Sequence, residues 1–135
     1  MPSQTLSGIN VLDLTSYIAG PFGATLLGDL GANVIKVESP SGDMMRNYPS
    51  TLVGESRAYV GVNRNKRGIV IDLKSKDGLD VIRRLIKKSD VIVHNFRPGV
   101  SRRLGLEYEQ LIDINPKIIY CGLTGFGETG PMAGN

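Results

Sequence analysis

The stretch that decides the fold is residues 11–40, VLDLTSYIAGPFGATLLGDLGANVIKVESP. Its apolar runs, glycines and prolines predict a strand over 10–14, a tight turn, a helix over 21–31 and a second strand over 33–37. Pro21 suits the first position of the helix because its missing N–H would have no partner there, and Gly31 is a suitable C-cap. The free N–H groups of that first turn would face the carboxyl edge of the sheet, where βαβ units bind anions. The stretch therefore indicates a crevice for a phosphorylated or carboxylated ligand.

The composition is ordinary for one globular domain. The chain has 135 residues, of which 41% are hydrophobic and 21% charged. The single cysteine, Cys121, excludes an internal disulfide and favours a reducing compartment, so we expect a cytoplasmic protein. We find no signal-peptide pattern and no apolar run near the ~18 residues that a membrane span requires, so no membrane partner is expected. A net charge of +3 permits an anionic partner but does not specify one.

Predicted strands and helices alternate along the rest of the chain. Further strands are expected at 58–63, 68–73, 90–94 and 118–123, and helices at 76–88, 98–104 and 108–115. Ser75 caps the helix at 76–88, whose buried stripe contains Leu79, Ile82, Leu85 and Ile86. Residues 39–56 read as a long loop and 63–68 as a basic turn. The alternation predicts an α/β doubly wound, mostly parallel sheet with helices on both faces. The loops expected at one edge are those that follow Leu14, Val37, Asp72, His94 and Leu123.

The C-terminal segment is rich in glycine. Residues 125–130, GFGETG, match G-x-G-x-x-G after a predicted strand. Pro131 follows, no helix opens, and no acidic residue comes about 20 positions later, as a dinucleotide fingerprint requires. We therefore expect a flexible loop and no NAD site. Because a helix normally follows such a loop, the sequence predicts a fold that is incomplete at its C-terminus, with apolar surface uncovered on the last strand and first helix.

Basic residues form the second candidate site. These residues could bind phosphates, or they could form a solvated basic surface with no ligand. They are Arg64, Lys66, Arg67, Lys74, Arg102 and Arg103. Nucleic acid is less suited, because only Tyr59 and Phe96 lie near these charges and a stacking platform usually offers more aromatic side chains. No nucleic-acid partner is therefore expected.

The remaining chemically reactive residues favour structural roles. His94, the single histidine, ends a predicted buried strand and is expected to be packed rather than catalytic. One histidine and one cysteine do not make a familiar metal site, so no metal is expected. Asp13 and Asp72 lie in or beside strands, where structural hydrogen bonding is more common than nucleophilic catalysis.

The ordered set of segments resembles the class III CoA-transferases, the family of formyl-CoA transferase, carnitine CoA-transferase and α-methylacyl-CoA racemase. The matching segments are residues 11–14, 19–21, 30–38, 63–74, 89–99, 104–105, 115–116 and 122–131. No single segment decides the match, but their order along nearly the whole chain is highly specific. The resemblance implies that residues 1–135 are the N-terminal part of a Rossmann-like, coenzyme A-binding large domain, with the remainder of the family's chain absent.

The resemblance also implies the binding residues for coenzyme A. By position they are Tyr17, Ile18, Ala19, Ser39, Ile71, Lys74, Asn95, Phe96, Arg103 and Leu104. Lys74 and Arg103, with Arg67 in support, would meet phosphates, and Phe96 or Ile71 would pack near adenine. Two positions depart from formyl-CoA transferases: Ile18 replaces a glutamine at the acyl end, and Ser39 replaces an arginine near the nucleotide.

The activity implied is transfer of coenzyme A from an acyl-CoA thioester to a carboxylic acid. In this family an aspartate attacks the thioester and forms first an acyl anhydride and then an aspartyl-CoA thioester. That aspartate is expected beyond Asn135, so no catalytic residue is assigned within the chain and the chain alone is expected to be inactive. Relatives form interlocked homodimers, which implies a homodimer in the full-length context.

Two alternatives stay open at the level of sequence. A racemase-like enzyme is disfavoured because racemases have a short link where this chain has the long excursion of residues 41–62. A non-catalytic nucleotide-binding or interaction module would use the same fold without chemistry.

Overall fold

A computed structural model describes residues 4–51 and 53–133. Within them, parallel strands form one sheet in the order β3-β2-β1-β4-β5. The strands are β1 (Asn10–Asp13), β2 (Asn33–Glu38), β3 (Lys66–Val70), β4 (Val91–His94) and β5 (Ile119–Gly122). This confirms the α/β parallel sheet and places the loops after all five strands at one edge. The order reverses between β2-β1 and β1-β4, which is where open α/β sheets bind ligands.

Helices connect consecutive strands. They are α1 (Ala19–Asp29), α2 (Arg57–Gly61), α3 (Lys76–Ile86), α4 (Val100–Leu104) and α5 (Tyr108–Leu111), with a 3₁₀ turn at Met44–Asn47. None of the helices in the described part of the chain is long and apolar enough to cross a membrane.

Two apolar cores lie on opposite faces of the sheet because side chains alternate along each strand. On one face, Leu12 and Ile92 pack with Ile82 and Ile86 of α3, all fully buried. On the other face, Val11 and Val34 pack with Ala24 of α1. Helices therefore cover both faces, and the predicted buried stripe of α3 is confirmed, with Leu79 and Leu85 partly exposed at its margin.

Helix α1 begins two residues earlier than the sequence predicts, at Ala19 rather than Pro21. Proline is tolerated there because none of the N–H groups in a helix's first turn has a partner within the helix. The C-cap is Leu30, and Gly31 follows it with a φ of 100°, so the left-handed glycine that ends the helix lies one residue past the predicted cap position.

The outer side of α1 is apolar. Ile18, Phe22, Leu26 and Leu30 recur every four residues and are each 45–49% exposed. Ile119 at the start of the edge strand β5 is also exposed. The expected uncovered apolar surface on the first helix and last strand is therefore present.

Two predictions for the middle of the chain are wrong. The strand expected at 58–63 is instead helix α2, because the Ser56 hydroxyl accepts a hydrogen bond from Tyr59 N–H and caps a helical turn. The strand expected at 68–73 begins earlier, at Lys66, so half of the expected basic turn belongs to β3. Lys66 lies in register with Val34, and strand pairing outweighs the turn signal of its charged sequence.

Candidate functional site

Three neighbouring clefts open along the carboxyl edge of the sheet. The first, about 290 Å³, lies between the loops after β1 and β2 and is lined by Thr15, Ser39, Asp43 and Phe96 among others. The second, about 360 Å³, lies between Asn95 and the glycine-rich segment around Gly125. The third, about 410 Å³, lies beside α4 and α5. Phe96 lines all three, so its ring stands at the centre of the edge.

The loops after β1 and β4 are tied to each other at the reversal point of the sheet. Asn95 Oδ1 accepts from Ser16 N–H at 2.9 Å, and Asn95 Nδ2 donates to Ser16 O at 2.8 Å. This pair of bonds makes the Asn95 amide a bridge between the two loops. It fixes the backbone on either side of the point where a ligand would cross the sheet.

A buried ion pair anchors the loop after β1 to the sheet. The Lys66 and Asp13 side chains are 2% and 0% exposed, with Nζ 2.8 Å from Oδ2. Lys66 Nζ also donates to Pro21 O at 2.7 Å, and Asp13 Oδ1 accepts from Thr15 N–H at 2.9 Å. Burial lowers the pKa of Lys66, and the Asp13 carboxylate opposes that shift. Asp13 therefore has a structural role, as expected, and Lys66 is not available to a phosphate.

A second polar cluster fixes the loop after β2. Glu38 accepts from Arg46 Nε at 2.6 Å and from the Tyr59 hydroxyl at 2.6 Å, and the Arg46 guanidinium lies 3.9 Å from the Tyr59 ring centroid. Hydrogen bonding by Arg46 outweighs burial and lowers the pKa of Glu38 to about 2. Burial, together with the Glu38 carboxylate, raises the pKa of Tyr59. The cluster holds residues 42–47 against the end of β2.

His94 is packed beneath Phe96, as its place at the end of a predicted buried strand indicates. Its Nδ1 accepts from Phe96 N–H at 3.3 Å, which leaves Nε2 to donate to the Tyr120 hydroxyl at 2.5 Å. The imidazole and Phe96 rings stack with centroids 5.0 Å apart. Burial lowers the pKa of His94, so the neutral ring is favoured. The imidazole acts here as a support for Phe96.

Most of the sequence-predicted residues lie at the carboxyl edge of the sheet, and the other three lie on α4 or β3. Ala19 begins α1 at this edge, and the loops there carry Tyr17, Ile18, Ser39, Ile71, Lys74, Asn95 and Phe96. Arg103 and Leu104 lie on α4, with Arg103 exposed and Leu104 packed on the core. Arg67 lies near the amino end of β3, where its guanidinium donates to Asn33 Oδ1 at 2.8 Å, so the structure does not bring it to the same edge.

Other predicted residues of the basic group also have structural partners. Arg64 bonds to Asp29, and Arg102 Nε donates to Glu107 at 3.1 Å. The Asp72 carboxylate accepts from Lys74 N–H at 2.9 Å. The chain's basic character is thus spread over several local contacts rather than gathered in one patch.

Sequence reasoning missed the residues that shape the first cleft, above all Lys36 and Asp43. Lys36 and Asp13 are register partners on the buried α1 face, two residues after Val34 and Val11. Charged residues at inward positions of two adjacent predicted strands are a signal that the sequence does contain. Asp43 carries no such signal, because it lies in an irregular segment.

An all-parallel sheet with ligand-sized clefts along its carboxyl edge defines a Rossmann-like α/β protein. The sequence identifies the family within this fold class. The chain belongs to CoA-transferase family III, whose family model matches residues 6–135.

Similar proteins carry transferase names. The chain is 48% identical to human succinyl-CoA:glutarate CoA-transferase, with 96% of this chain and 30% of that protein covered. It is 45% identical to acetyl-CoA:oxalate CoA-transferase from Acetobacter aceti, with coverage of 98% and 34%. The chain thus spans about a third of the length of these relatives.

Solved structures agree in fold. A CAIB/BAIF family protein from Brucella suis superposes with a TM-score of 0.92 at 42% identity, over 97% of this chain and 36% of that one. Rv3272 from Mycobacterium tuberculosis gives 0.92 at 38% identity, over 100% of this chain and 38% of that one.

Proposed function

We propose that this chain supplies the coenzyme A-binding elements of an enzyme that moves coenzyme A from an acyl-CoA thioester to a carboxylic acid. The observation that carries the proposal is the gathering of the loops after β1, β2, β3 and β4 around Phe96. Family membership supports the same reading, and relatives are named for transfer between succinyl, glutarate, acetyl and oxalate groups.

The binding mode follows from exposure and charge. Lys74 and Arg103 are exposed cations, on the loop after β3 and on α4, and we assign them to the phosphates of the nucleotide. Phe96 is partly exposed and central, whereas Ile71 is only 6% exposed and packs in the core. Phe96 is therefore the better platform for adenine.

The reaction needs a carboxylate nucleophile. That carboxylate attacks the thioester carbonyl and expels the coenzyme A thiolate, which leaves an acyl anhydride. The thiolate then attacks the enzyme's side of the anhydride, releases the donor acid and forms an aspartyl-CoA thioester. The acceptor acid then attacks the aspartyl-CoA thioester and releases the coenzyme A thiolate, which leaves a second anhydride. The thiolate attacks the acceptor's side of that anhydride, forms the new acyl-CoA and frees the aspartate.

The described aspartates nearest the edge are poorly suited to that attack. Asp13 and Asp43 are 0% and 3% exposed and have hydrogen-bond or ion-pair partners, and Asp72 caps its own turn. We assign the nucleophile to a residue outside 1–135, and we expect the 135 residues alone to bind without turnover. A cytoplasmic location and a homodimeric full-length protein are further predictions of the same proposal.

Calorimetric titration with coenzyme A tests the binding site in the natural full-length form of the protein. Arg103→Ala and Lys74→Ala should each weaken binding by about 1–3 kcal/mol, as expected for charge-assisted contacts. Lys117→Ala is the matched control, because Lys117 precedes β5 and lies at the opposite edge. Arg67→Ala distinguishes two expectations. The sequence-based assignment of Arg67 to a phosphate predicts weaker coenzyme A binding, whereas its position near the amino end of β3 predicts no change in affinity. Unchanged affinity for both Arg103→Ala and Lys74→Ala would remove the proposed site.

An activity assay tests the assignment of the nucleophile. Purified residues 1–135 are mixed with acyl-CoA donors and candidate acids, and products are followed by mass spectrometry. No turnover is expected from this piece, and coenzyme A exchange is expected from the full-length protein. Turnover by residues 1–135 that disappears on Asp13→Ala or Asp72→Ala would show that the nucleophile lies within them. Tight binding of random DNA with a steep salt dependence, and no response to coenzyme A, would favour a nucleic-acid module instead.

A further inference from the structure

Tyr17 has a backbone conformation that tyrosine disfavours. Its φ is 74°, in the left-handed region, where a side chain with a Cβ crowds the following carbonyl. Tyr17 lies in the loop between β1 and α1 and is 47% exposed. Packing of its own side chain therefore does not account for the conformation, and residues outside the loop must hold it.

The Asp43 carboxylate holds Tyr17 from the loop after β2. Asp43 Oδ1 accepts from Tyr17 N–H at 3.2 Å and from Met45 N–H at 2.9 Å. Asp43 is itself held, because its own N–H donates to Glu38 Oε2 at 3.0 Å and the residue is only 3% exposed. The Tyr17 amide is thus bound to a fixed acceptor rather than to a mobile surface carboxylate.

Lys36 completes the arrangement from the strand below. Its side chain is 1% exposed, and Nζ lies 2.9 Å from Asp43 Oδ2. The same Nζ donates to Thr15 O at 2.8 Å. The ion pair therefore bonds the loop at two points: Lys36 donates to the Thr15 carbonyl, and Asp43 accepts from the Tyr17 amide. These two bonds fix the intervening backbone.

We propose that the buried Lys36–Asp43 pair is a positioning device that presets the Tyr17 backbone and so keeps the first cleft in the shape that accepts acyl-CoA. The proposal rests on the proposed function, since it concerns the same site. Asp43 lines the first cleft with Thr15 and Ser16, whereas Lys36 does not and acts only through its partners. Presetting the loop removes part of the ordering cost that a ligand would otherwise meet on binding.

The test is a double-mutant cycle in the natural full-length form of the protein, read by calorimetry with coenzyme A. The variant Lys36→Met/Asp43→Ala removes both charges together, so that neither is left buried without a partner. We expect coenzyme A to bind at least about tenfold more weakly. Tyr17→Gly provides the second background, because glycine adopts a positive φ without strain. There the same pair of substitutions should change affinity by less than about threefold.

The matched control removes an exposed pair. Asp80→Ala/Arg83→Met deletes a surface ion pair on α3 and should leave coenzyme A affinity unchanged. Equal losses in the wild-type and Tyr17→Gly backgrounds would overturn the proposal, because the pair would then act through something other than the Tyr17 backbone. Unchanged affinity in the wild-type background would also overturn it while leaving the proposed function intact.

Hydrogen exchange of the unmodified protein gives an independent measurement if the double variant fails to fold. The Tyr17 amide should exchange at least about tenfold more slowly than an exposed loop amide, because it donates to a buried acceptor. Exchange at the rate of an unstructured peptide would overturn the proposal. A wild-type protein that binds no coenzyme A but protects Tyr17 would refute the proposed function, and with it the role of the Tyr17 backbone in accepting acyl-CoA. A protein that binds coenzyme A but leaves Tyr17 unprotected would refute the positioning role alone.

Discussion

The loop after β1 and the glycine-rich loop after β5 leave the same edge of one sheet, yet they are fixed in opposite ways. Buried lysines from β2 and β3 hold residues 15–21 through the carbonyls of Thr15 and Pro21, and Asp13 of β1 accepts from Thr15 N–H. Residues 125–132 are exposed throughout, with turns built on Gly127 and Gly130 at positive φ. The difference teaches that the β1–β2 side of the edge is built before any ligand arrives. The β5 side is shaped by turns of its own backbone at Gly127 and Gly130.

Removal of the buried Lys66 charge should have the largest effect on the way the β1 loop is fixed. Lys66→Met leaves Asp13 buried without its cation and frees Pro21 O, so we expect a loss of about 3–5 kcal/mol in the free energy of unfolding. Urea denaturation followed by circular dichroism measures it.

Arg64→Met is the matched control for Lys66→Met. Arg64 is a neighbour in sequence whose partner, Asp29, lies at the surface, and its loss should be much smaller. Similar losses for the two variants would mean that the β1 loop is not held from below, and the contrast with the β5 loop would disappear.

Lys66 and Tyr17 show where sequence reasoning stops. The parallel sheet and the α3 stripe follow from local periodicity, which the sequence displays directly. The sequence predicts Lys66 as part of a basic turn, because its charge can be read from the sequence and its ion-pair partner cannot. Asp13 lies 53 positions away and becomes its neighbour only once β3 has joined β2. The left-handed Tyr17 is equally hidden, since glycine or asparagine is the usual signal for such a position. Long-range charge pairing decides both. Periodicity marks Asp13 as an inward charge on its strand but does not name the partner.

A second test concerns how closely α1 approaches the β1 loop. A Cβ on Gly20 would lie 2.5 Å from Thr15 Cβ and Cγ2, so Gly20→Ala must push the helix off the loop and should cost about 1–3 kcal/mol. Gly23→Ala in the same helix meets nothing within 4 Å and should stabilise by about 0.5–1 kcal/mol through helix propensity. Thermal unfolding of both variants measures the contrast. Two stabilising substitutions would contradict the close fit of α1 on Thr15.

The two sides of the edge should also respond to different pH ranges. The pKa of Glu38 is about 2 in the fold against 4.5 ordinarily, so the folded state binds fewer protons and this stability is full above pH 4.5 and declines toward pH 2. For His94 beneath Phe96 it is burial that lowers the pKa, so its contribution is full above pH 6.5 and begins to decline below it. Urea denaturation from pH 3 to 8 should show both ranges. Glu38→Gln should flatten only the acid range and His94→Asn only the range just below neutrality. A His94→Asn profile that matches the wild type between pH 5 and 7 would contradict the assignment.

The smallest expected change in the free energy of unfolding lies in the glycine-rich loop, and it tests how loosely the β5 side of the edge is packed. Gly125 has no positive φ, and a Cβ there would meet nothing within 4 Å, so Gly125→Ala should change the free energy of unfolding by less than about 0.5 kcal/mol. Gly127, two residues on, has a φ of 85°, and Gly127→Ala should cost about 1–2 kcal/mol because a Cβ is strained in that conformation. Urea denaturation of both variants against wild type separates a loop that needs only backbone freedom at its turns from one that packs at every position. A Gly125→Ala loss as large as that of Gly20→Ala would mean that the β5 loop is packed as tightly as the β1 loop. The two sides of the edge would then be equally preorganised, because each would exclude a single added methyl group.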